Sequence, residues 1–316
     1  MKNIFAFLIL FILLLTSCSV YSGNPSKDTA TEASSLTTDV QETATPVANF
    51  DNVNSNTFTF RKAFPDFALA NTVAQAFGKE IDSKTSAEEL ASLTGEFAIL
   101  NYWDENGKAW DCADLTGIGY LKGLTEFSCY KNSVTKLPPE IKELKNLKVL
   151  NLLKAYLLKT IPPEIGELEN LVQFRLDLTG VVHLPKEIGK LKNLQSLSLG
   201  AGPLSGIPDE IGNLTNLEYL DLHSTNVKTL PDSICNLTHI KELDISYLEL
   251  TALPENLGNL TQLESLNLFS NNLKELPKSM SNLKNLKWMN IYDNFDLSES
   301  YKNFIPNQAW ILTESE

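Results

Sequence analysis

From residue 124 onward the apolar positions of the chain keep a fixed beat. The pattern L-x-x-L-x-L, with other apolar residues sometimes substituting, starts at Leu124, Leu147, Leu171, Leu194, Leu217, Ile240, Leu263 and Leu286, at spacings of 23, 24, 23, 23, 23, 23 and 23 residues. A second apolar ladder follows at Val134, Leu157, Val181, Leu204, Val227, Leu250 and Leu273. A third marker is Pro138, Pro162, Pro185, Pro208, Pro231, Pro254 and Pro277, each preceded by Leu or Ile. Three ladders in one register define an internal repeat. Residues such as Leu147, Leu150 and Leu152 predict a short strand whose apolar side chains stack inward on those of the neighbouring units. The polar residues between them then face the other way. The prolines fall on the opposite side, where the chain turns back and no ladder N–H is needed. Upstream, Phe67, Leu69, Val73, Ala74 and Phe77 recur at helical spacing over residues 66–77, with Gly78 as a stop. Ser86-Ala87-Glu88-Glu89 is a capping box that opens a second helix through Leu93.

The repeat resembles the leucine-rich-repeat family, whose units run 20–29 residues. The resemblance implies an α/β fold: a leucine-rich-repeat solenoid with a curved parallel sheet on the concave face and short helical or 3-10 turns on the convex face. Residues 115–298 would hold eight such units. Family members usually hold an asparagine at the ninth position, where its side chain satisfies turn backbone groups. Asn132, Asn271 and Asn294 match, Thr179 and Thr225 are stand-ins, and Ala155, Gly202 and Leu248 depart, which predicts three looser or hydrated turns. The stretch Phe64-Pro65-Asp66-Phe67-Ala68-Leu69-Ala70, followed by Ala87-Glu88-Glu89-Leu90-Ala91-Ser92-Leu93-Thr94, resembles the helical N-terminal cap of internalin-type bacterial leucine-rich-repeat proteins, here assigned to residues 57–114. A cap is also a physical requirement, since a terminal repeat has no neighbour to cover its apolar face.

The N-terminus reads as an address. Lys2 precedes an unbroken apolar run over residues 4–15, too short to span a bilayer, which takes about 20 residues, and suited to a signal-peptide core. Leu15-Thr16-Ser17-Cys18 resembles a bacterial lipobox, which implies removal of residues 1–17 and lipidation of Cys18. Two or three acyl chains anchor stably where one does not. Residues 19–56 contain 12 Ser or Thr among 38, have no apolar period, and are expected to form a disordered tether. Its r.m.s. reach would be roughly 35 Å.

Composition narrows the function. Leucine accounts for 52 of 316 residues, a local excess that follows from the repeat. The balance of 26 basic against 39 acidic residues gives a net charge of −13, which disfavours nucleic acid, because gripping phosphates takes clustered Lys and Arg. Asn213-Leu214-Thr215, Asn236-Leu237-Thr238 and Asn259-Leu260-Thr261 are glycosylation sequons in form only, since their leucines belong to the core ladder. Gly117-Ile118-Gly119 and Gly200-Ala201-Gly202 complete no phosphate-binding fingerprint and read as turn glycines. His183 reads as a turn residue and His239 as a substitute for a repeat asparagine, while His223 projects from the concave face. Cys129 and Cys235 read as small core hydrophobes, and a Cys112–Cys129 disulfide is an option outside the cytoplasm. The segment 102–112 carries Asp104, Glu105 and Asp111 but is short for an active site. No metal, cofactor or catalytic set is expected.

Function is left to the solvent-facing concave positions. Tyr219, Asp221, His223, Glu242, Asp244, Tyr247, Phe269, Trp288 and Tyr292 form the candidate patch, with a carboxylate centre and an aromatic rim. Tyr and Trp are favoured at interface hot spots, and carboxylates set side by side across the sheet repel, so a cationic partner group would relieve Asp221 and Asp244. Trp288 has a second reading, in which the tail 299–316, through Trp310, Ile311 and Leu312, closes the last repeat as a lid. The expected protein is a lipid-anchored, extracytoplasmic binding module for another protein of the host or the cell envelope. The alternative is a glycan or cell-wall fragment.

Overall fold

A computed structural model describes residues 57–99, 102–103, 109–303 and 310–313. The expected leader, the lipidation site Cys18 and the tether lie outside the described residues, as do Asp104 and Glu105. Strand β1 (Phe58–Thr59) pairs antiparallel with β2 (Lys84–Thr85), and helices α1 (Phe60–Ala63) and α2 (Phe67–Ala76) lie between them in sequence. Asp66 caps α2 by accepting Leu69 N–H on Oδ1, and its Oδ2 accepts the amides of Ala113 and Asp114. One side chain thus ties the helical segment to the start of the repeats. Gly78, φ +64°, stops the helix in the left-handed region that glycine tolerates. Helix α3 (Ala87–Ala91) starts where the capping box places it, with Ser86 Oγ accepting Glu89 N–H.

Strand β3 (Gly95–Ala98) begins a second sheet, and β4 (Tyr102–Trp103) and β5 (Ala109–Trp110) form a separate antiparallel pair. Each repeat then contributes one strand: β6 (Leu124–Ser128), β7 (Val149–Asn151), β8 (Gln173–Arg175), β9 (Ser196–Ser198), β10 (Tyr219–Asp221), β11 (Glu242–Asp244), β12 (Ser265–Asn267) and β13 (Trp288–Asn290). A last strand, β14 (Trp310–Leu312), follows the repeats, and the ten-stranded parallel sheet runs in simple order from β14 back to β6 and then β3. The ladder residues fill one continuous core beneath it. Opposite the sheet lie 3-10 turns such as Pro139–Glu143, Pro163–Glu167 and Asp209–Asn213. Pro138, Pro162, Pro185, Pro208, Pro231 and Pro277 stand at the head of such turns with φ between −74° and −58°, the angle the ring imposes. Neighbouring turns approach so closely that a Cβ on Gly258 would lie 1.8 Å from Ser279 O. Cys235 takes the equivalent place in its own turn and is buried there.

Side chains stitch the repeats together. Asn170, Asn193, Asn216 and Asn285 donate through Nδ2 to a carbonyl of the preceding repeat at 2.8 Å. His239 makes the same link through Nδ1 to Thr215 O at 2.7 Å. A carbonyl only accepts, so Nδ1 carries the proton. At the ninth position Asn271 Oδ1 accepts the amides of Leu248 and Leu250, and its Nδ2 donates to Ile245 O and Leu268 O.

Several expectations change. Leu157 is not a rung: it is 49% exposed, whereas Leu158 is fully buried and takes its place. The extra residue of the 24-residue repeat is absorbed at the surface, with Tyr156 and Leu157 turned out. The turns at Ala155 and Leu248 are not loose, because both residues are fully buried. Leu158 N donates to Ala155 O, and the amide of Leu248 is taken by Asn271 of the next repeat. Cys112 and Cys129 are free, buried thiols, and hydrogen bonding with Cys129, then burial, pushes the Cys112 thiol up. Asp111 accepts the amide and hydroxyl of Ser133, which gives it a structural task at the start of the repeats.

One backbone feature escaped the pattern. The residue at the eighth position of every repeat, Lys131, Lys154, Leu178, Ala201, Ser224, Tyr247, Ser270 and Asp293, has φ between 53° and 62° without being glycine. Three residues after each repeat strand the chain thus passes through a left-handed residue, a conformation that costs L-residues about 1–2 kcal/mol.

Candidate protein-binding face

On the exposed face of the sheet the fifth residue of most repeats is Asn or Asp, and its side chain turns back on its own backbone. Asn151, Asp221, Asp244, Asn267 and Asn290 each accept, through Oδ1, the amide two residues on, at 2.9–3.2 Å. This is the local bond that Asx side chains make readily. The carboxylates of Asp221 and Asp244 are therefore structural before they are anything else. They stand in register on adjacent strands, as expected.

The middle of the face holds a half-buried row of carboxylates. Asp221 is only 7% exposed. Its Oδ1 accepts both His223 N and His223 Nδ1, the latter at 2.8 Å, and Tyr219 OH lies 3.4 Å from its Oδ2. The hydrogen bond that His223 Nδ1 donates to Asp221 raises the imidazole to about 9, so it is charged near neutral pH. Burial, and then the surrounding carboxylates, push the Tyr219 phenol up. Asp244 Oδ1 accepts Ser246 Oγ at 2.6 Å, and its Oδ2 accepts Asn267 Nδ2 at 2.9 Å; burial and then Asp221 raise its carboxyl. Glu242 is exposed as a whole residue, but partial desolvation of its carboxyl, and then Glu264, raise it. The expected carboxylate centre is thus largely enclosed by its own neighbours, with Asp221 beneath the surface rather than on it.

Two neighbours complete this row. Asp177 is buried and accepts Ser198 Oγ on Oδ1, while its Oδ2 receives no hydrogen bond and lies 3.6 Å from Arg175 Nε. Burial dominates in raising its carboxyl. Gly200 is more than a turn glycine: a Cβ there would lie 2.3 Å from His223 Nδ1, so its missing side chain is the seat of the imidazole. Nothing in the repeat pattern marks Gly200 or Asp177. The available signal was a glycine at the seventh, sheet-facing position, one repeat before the histidine.

Toward the C-terminal end the face becomes aromatic. Tyr247 packs edge-on against Phe269 with centroids 4.8 Å apart, and Phe269 stacks on Tyr292 at 5.7 Å and 16°. Tyr247 and Tyr292 remain 51% and 45% exposed. Trp288 is half-buried, and its strand pairs with the tail at Trp288↔Trp310, Met289↔Ile311 and Asn290↔Leu312. Tyr301 is buried in the same end of the core. The tail therefore extends the sheet beside Trp288, leaving Tyr247, Phe269 and Tyr292 as the open aromatic group.

Stacked strand-and-turn units with a parallel sheet on one face and 3-10 turns on the other define a leucine-rich-repeat solenoid. The family model for the leucine-rich repeat region matches residues 88–205 and 197–305, and the chain belongs to that family. Among curated proteins it is similar to internalin J of Listeria monocytogenes, at 30% identity over 131 residues, 40% of this chain. That match spans 13% of internalin J. Among solved structures it is similar to a leucine-rich-repeat protein of Leptospira interrogans, with 30% identity, 64% of this chain and 55% of that one covered, and a TM-score of 0.53. Internalin C2 of Listeria monocytogenes shares the fold, at 24% identity over 73% of this chain and 96% of its own, with a TM-score of 0.61. Among the described residues no helix is long and apolar enough to cross a membrane.

Proposed function

We propose that the chain is an interaction module that binds another protein on the sheet face of its solenoid and is held outside the cytoplasm by lipid on Cys18. The observation that carries the binding reading is the Tyr247–Phe269–Tyr292 group, its rings packed on one another with Tyr247 and Tyr292 exposed, on a hydrogen-bonded sheet beside a row of carboxylates. Large aromatic area fixed in place before binding loses little entropy when a partner covers it. Similarity to internalin J supports a surface role, and the Leu15-Thr16-Ser17-Cys18 motif supports the anchor. The binding reading is tested by crosslinking on intact cells with the wild-type chain and with Tyr247→Ala, Phe269→Ala and Tyr292→Ala combined. Partner capture is expected to be lost in a triple variant with an unchanged circular-dichroism spectrum. Unchanged capture would refute it. A glycan array run in parallel would favour the glycan reading if saccharides alone bound. For the anchor, an alkyne fatty-acid label should appear on wild type and vanish with Cys18→Ala.

A further inference from the structure

A different open surface lies off the sheet, on the flank where the chain passes from each strand to its 3-10 turn. Three of the six large apolar side chains exposed among the described residues, Tyr156, Leu157 and Val182, gather there in two adjacent repeats. They border the second apolar ladder at Leu158 and Val181. In later repeats the same places carry Asn226, Lys228, Glu249 and Asn272, and Lys228 is paired there with Glu249. The repeat itself therefore does not require apolar residues at these positions, and contiguous exposed apolar side chains mark interaction sites. The backbones beneath are pressed together: a Cβ on Gly180 would lie 2.8 Å from Tyr156 O, and Ser205 N donates to Val182 O at 3.0 Å. Charge on this flank also departs from the rest of the chain. Segments 155–161, 179–184 and 201–207 contain Lys159 and no Asp or Glu, in a chain with 39 of them. Lys136, exposed like Lys159, adjoins it in the preceding repeat, where Lys136 and Thr160 form a parallel bridge.

We propose that the flank of repeats two to four is a second docking surface, for a partner protein segment that carries apolar side chains beside an Asp or Glu. The apolar groups cover Tyr156, Leu157 and Val182, and the carboxylate meets Lys159 or Lys136. A twofold pairing of this flank with a second copy would bring two sets of lysines together with no carboxylate between them, so the charge favours a different, acidic partner. Acidic surface elsewhere on the chain does not prevent this, because salt screens exposed charges beyond about 8 Å. The surface is separate from the Tyr247–Phe269–Tyr292 group and stands whether or not the sheet face binds.

The test is a phage-displayed random dodecapeptide library panned on the immobilised chain, with selected peptides re-measured by fluorescence anisotropy. A class of peptides with apolar residues beside Asp or Glu is expected to bind wild type and the Tyr247→Ala, Phe269→Ala, Tyr292→Ala variant alike, which separates it from sheet-face binders. Leu157→Ser combined with Val182→Ser should weaken that class about tenfold or more, the scale of two half-exposed aliphatic side chains leaving water. Lys159→Gln should weaken it about threefold, as one exposed ion pair does, and should not affect peptides with Asn or Gln in place of the acid. Thermal melts check that the variants fold, and Lys159→Gln keeps the test open if the double variant melts early. No peptide that survives the sheet-face variant, a surviving class without acidic residues, or peptides indifferent to the flank substitutions overturns the proposal. So does a dimer in sedimentation, or flotation with phosphatidylglycerol vesicles, that the flank substitutions abolish while no such peptide is found.

Discussion

Replacing Asn271 with alanine should be the most damaging single polar substitution in the repeats. Its side chain is buried and holds four backbone groups of two repeats: the amides of Leu248 and Leu250 and the carbonyls of Ile245 and Leu268. The preceding repeat has Leu248 where a polar ninth residue would stand, so it has no side chain of its own for these groups. Leu268 O keeps a second donor, Asn294 Nδ2 at 2.9 Å, so three groups lose this partner; orphaning a buried polar group costs about 1–3 kcal/mol and a water in the vacated space recovers part of that, so a total near 3–5 kcal/mol is expected. Thr225 supplies the comparison. Its hydroxyl donates only to Leu222 O, and Thr225→Ala should cost about 1 kcal/mol. Urea unfolding followed by circular dichroism gives the two midpoints. Hydrogen exchange at the Leu248 and Leu250 amides shows whether the loss is local. A shift for Asn271→Ala no larger than for Thr225→Ala, with those amides still protected, would refute the reasoning.

Other outcomes follow from the same geometry. Leu158→Ala should destabilise by about 2–5 kcal/mol as a core truncation, whereas Leu157→Ala should stay within about 0.5 kcal/mol; thermal melts of the pair decide which residue is the rung. The imidazole of His223 is raised in the fold from its ordinary value of 6.5 to about 9. Its contribution is therefore complete below pH 6.5 and lost as pH rises through about 9. Urea midpoints should fall over that window in wild type, and less in Asp221→Asn. Gly200→Ala should push the ring off its seat, a side chain rather than backbone giving way, so that the His223 titration followed by NMR moves back toward 6.5 and the stability linked to the raised value is lost with it.

The periodic part of this fold was legible because each rung repeats a single demand: fill the same slot in the neighbour's core. Leu147, Leu150 and Leu152 therefore imply Leu194, Leu197 and Leu199, and all are buried as the pattern requires. What escaped the sequence are compensations between repeats rather than within them. Leu157 and Leu158 are adjacent leucines after an insertion, and only packing chooses between them. Leu248 looked like a defect because the residue that repairs it, Asn271, belongs to the next unit. Of the candidate site, the positions were legible and the chemistry only in part. The register places Asp221 opposite Asp244, but not the fact that Asp221 is spent on His223 and on its own turn. The seat that Gly200 makes for His223 depends on two residues 23 positions apart, and neither stands out alone.

The left-handed residue three places after each repeat strand also limits how such a surface can diversify. Branching at Cβ is poorly tolerated at positive φ, and none of the eight residues there is Val, Ile or Thr. That position borders the proposed binding face, and Tyr247 shows it can carry a large, exposed aromatic side chain. New specificities written there must come from an alphabet without β-branched letters, with Asn, Asp and Gly the least strained choices. A collection of variants randomised at all eight positions and selected only for folding should shed Val, Ile and Thr first, whatever ligand the face serves.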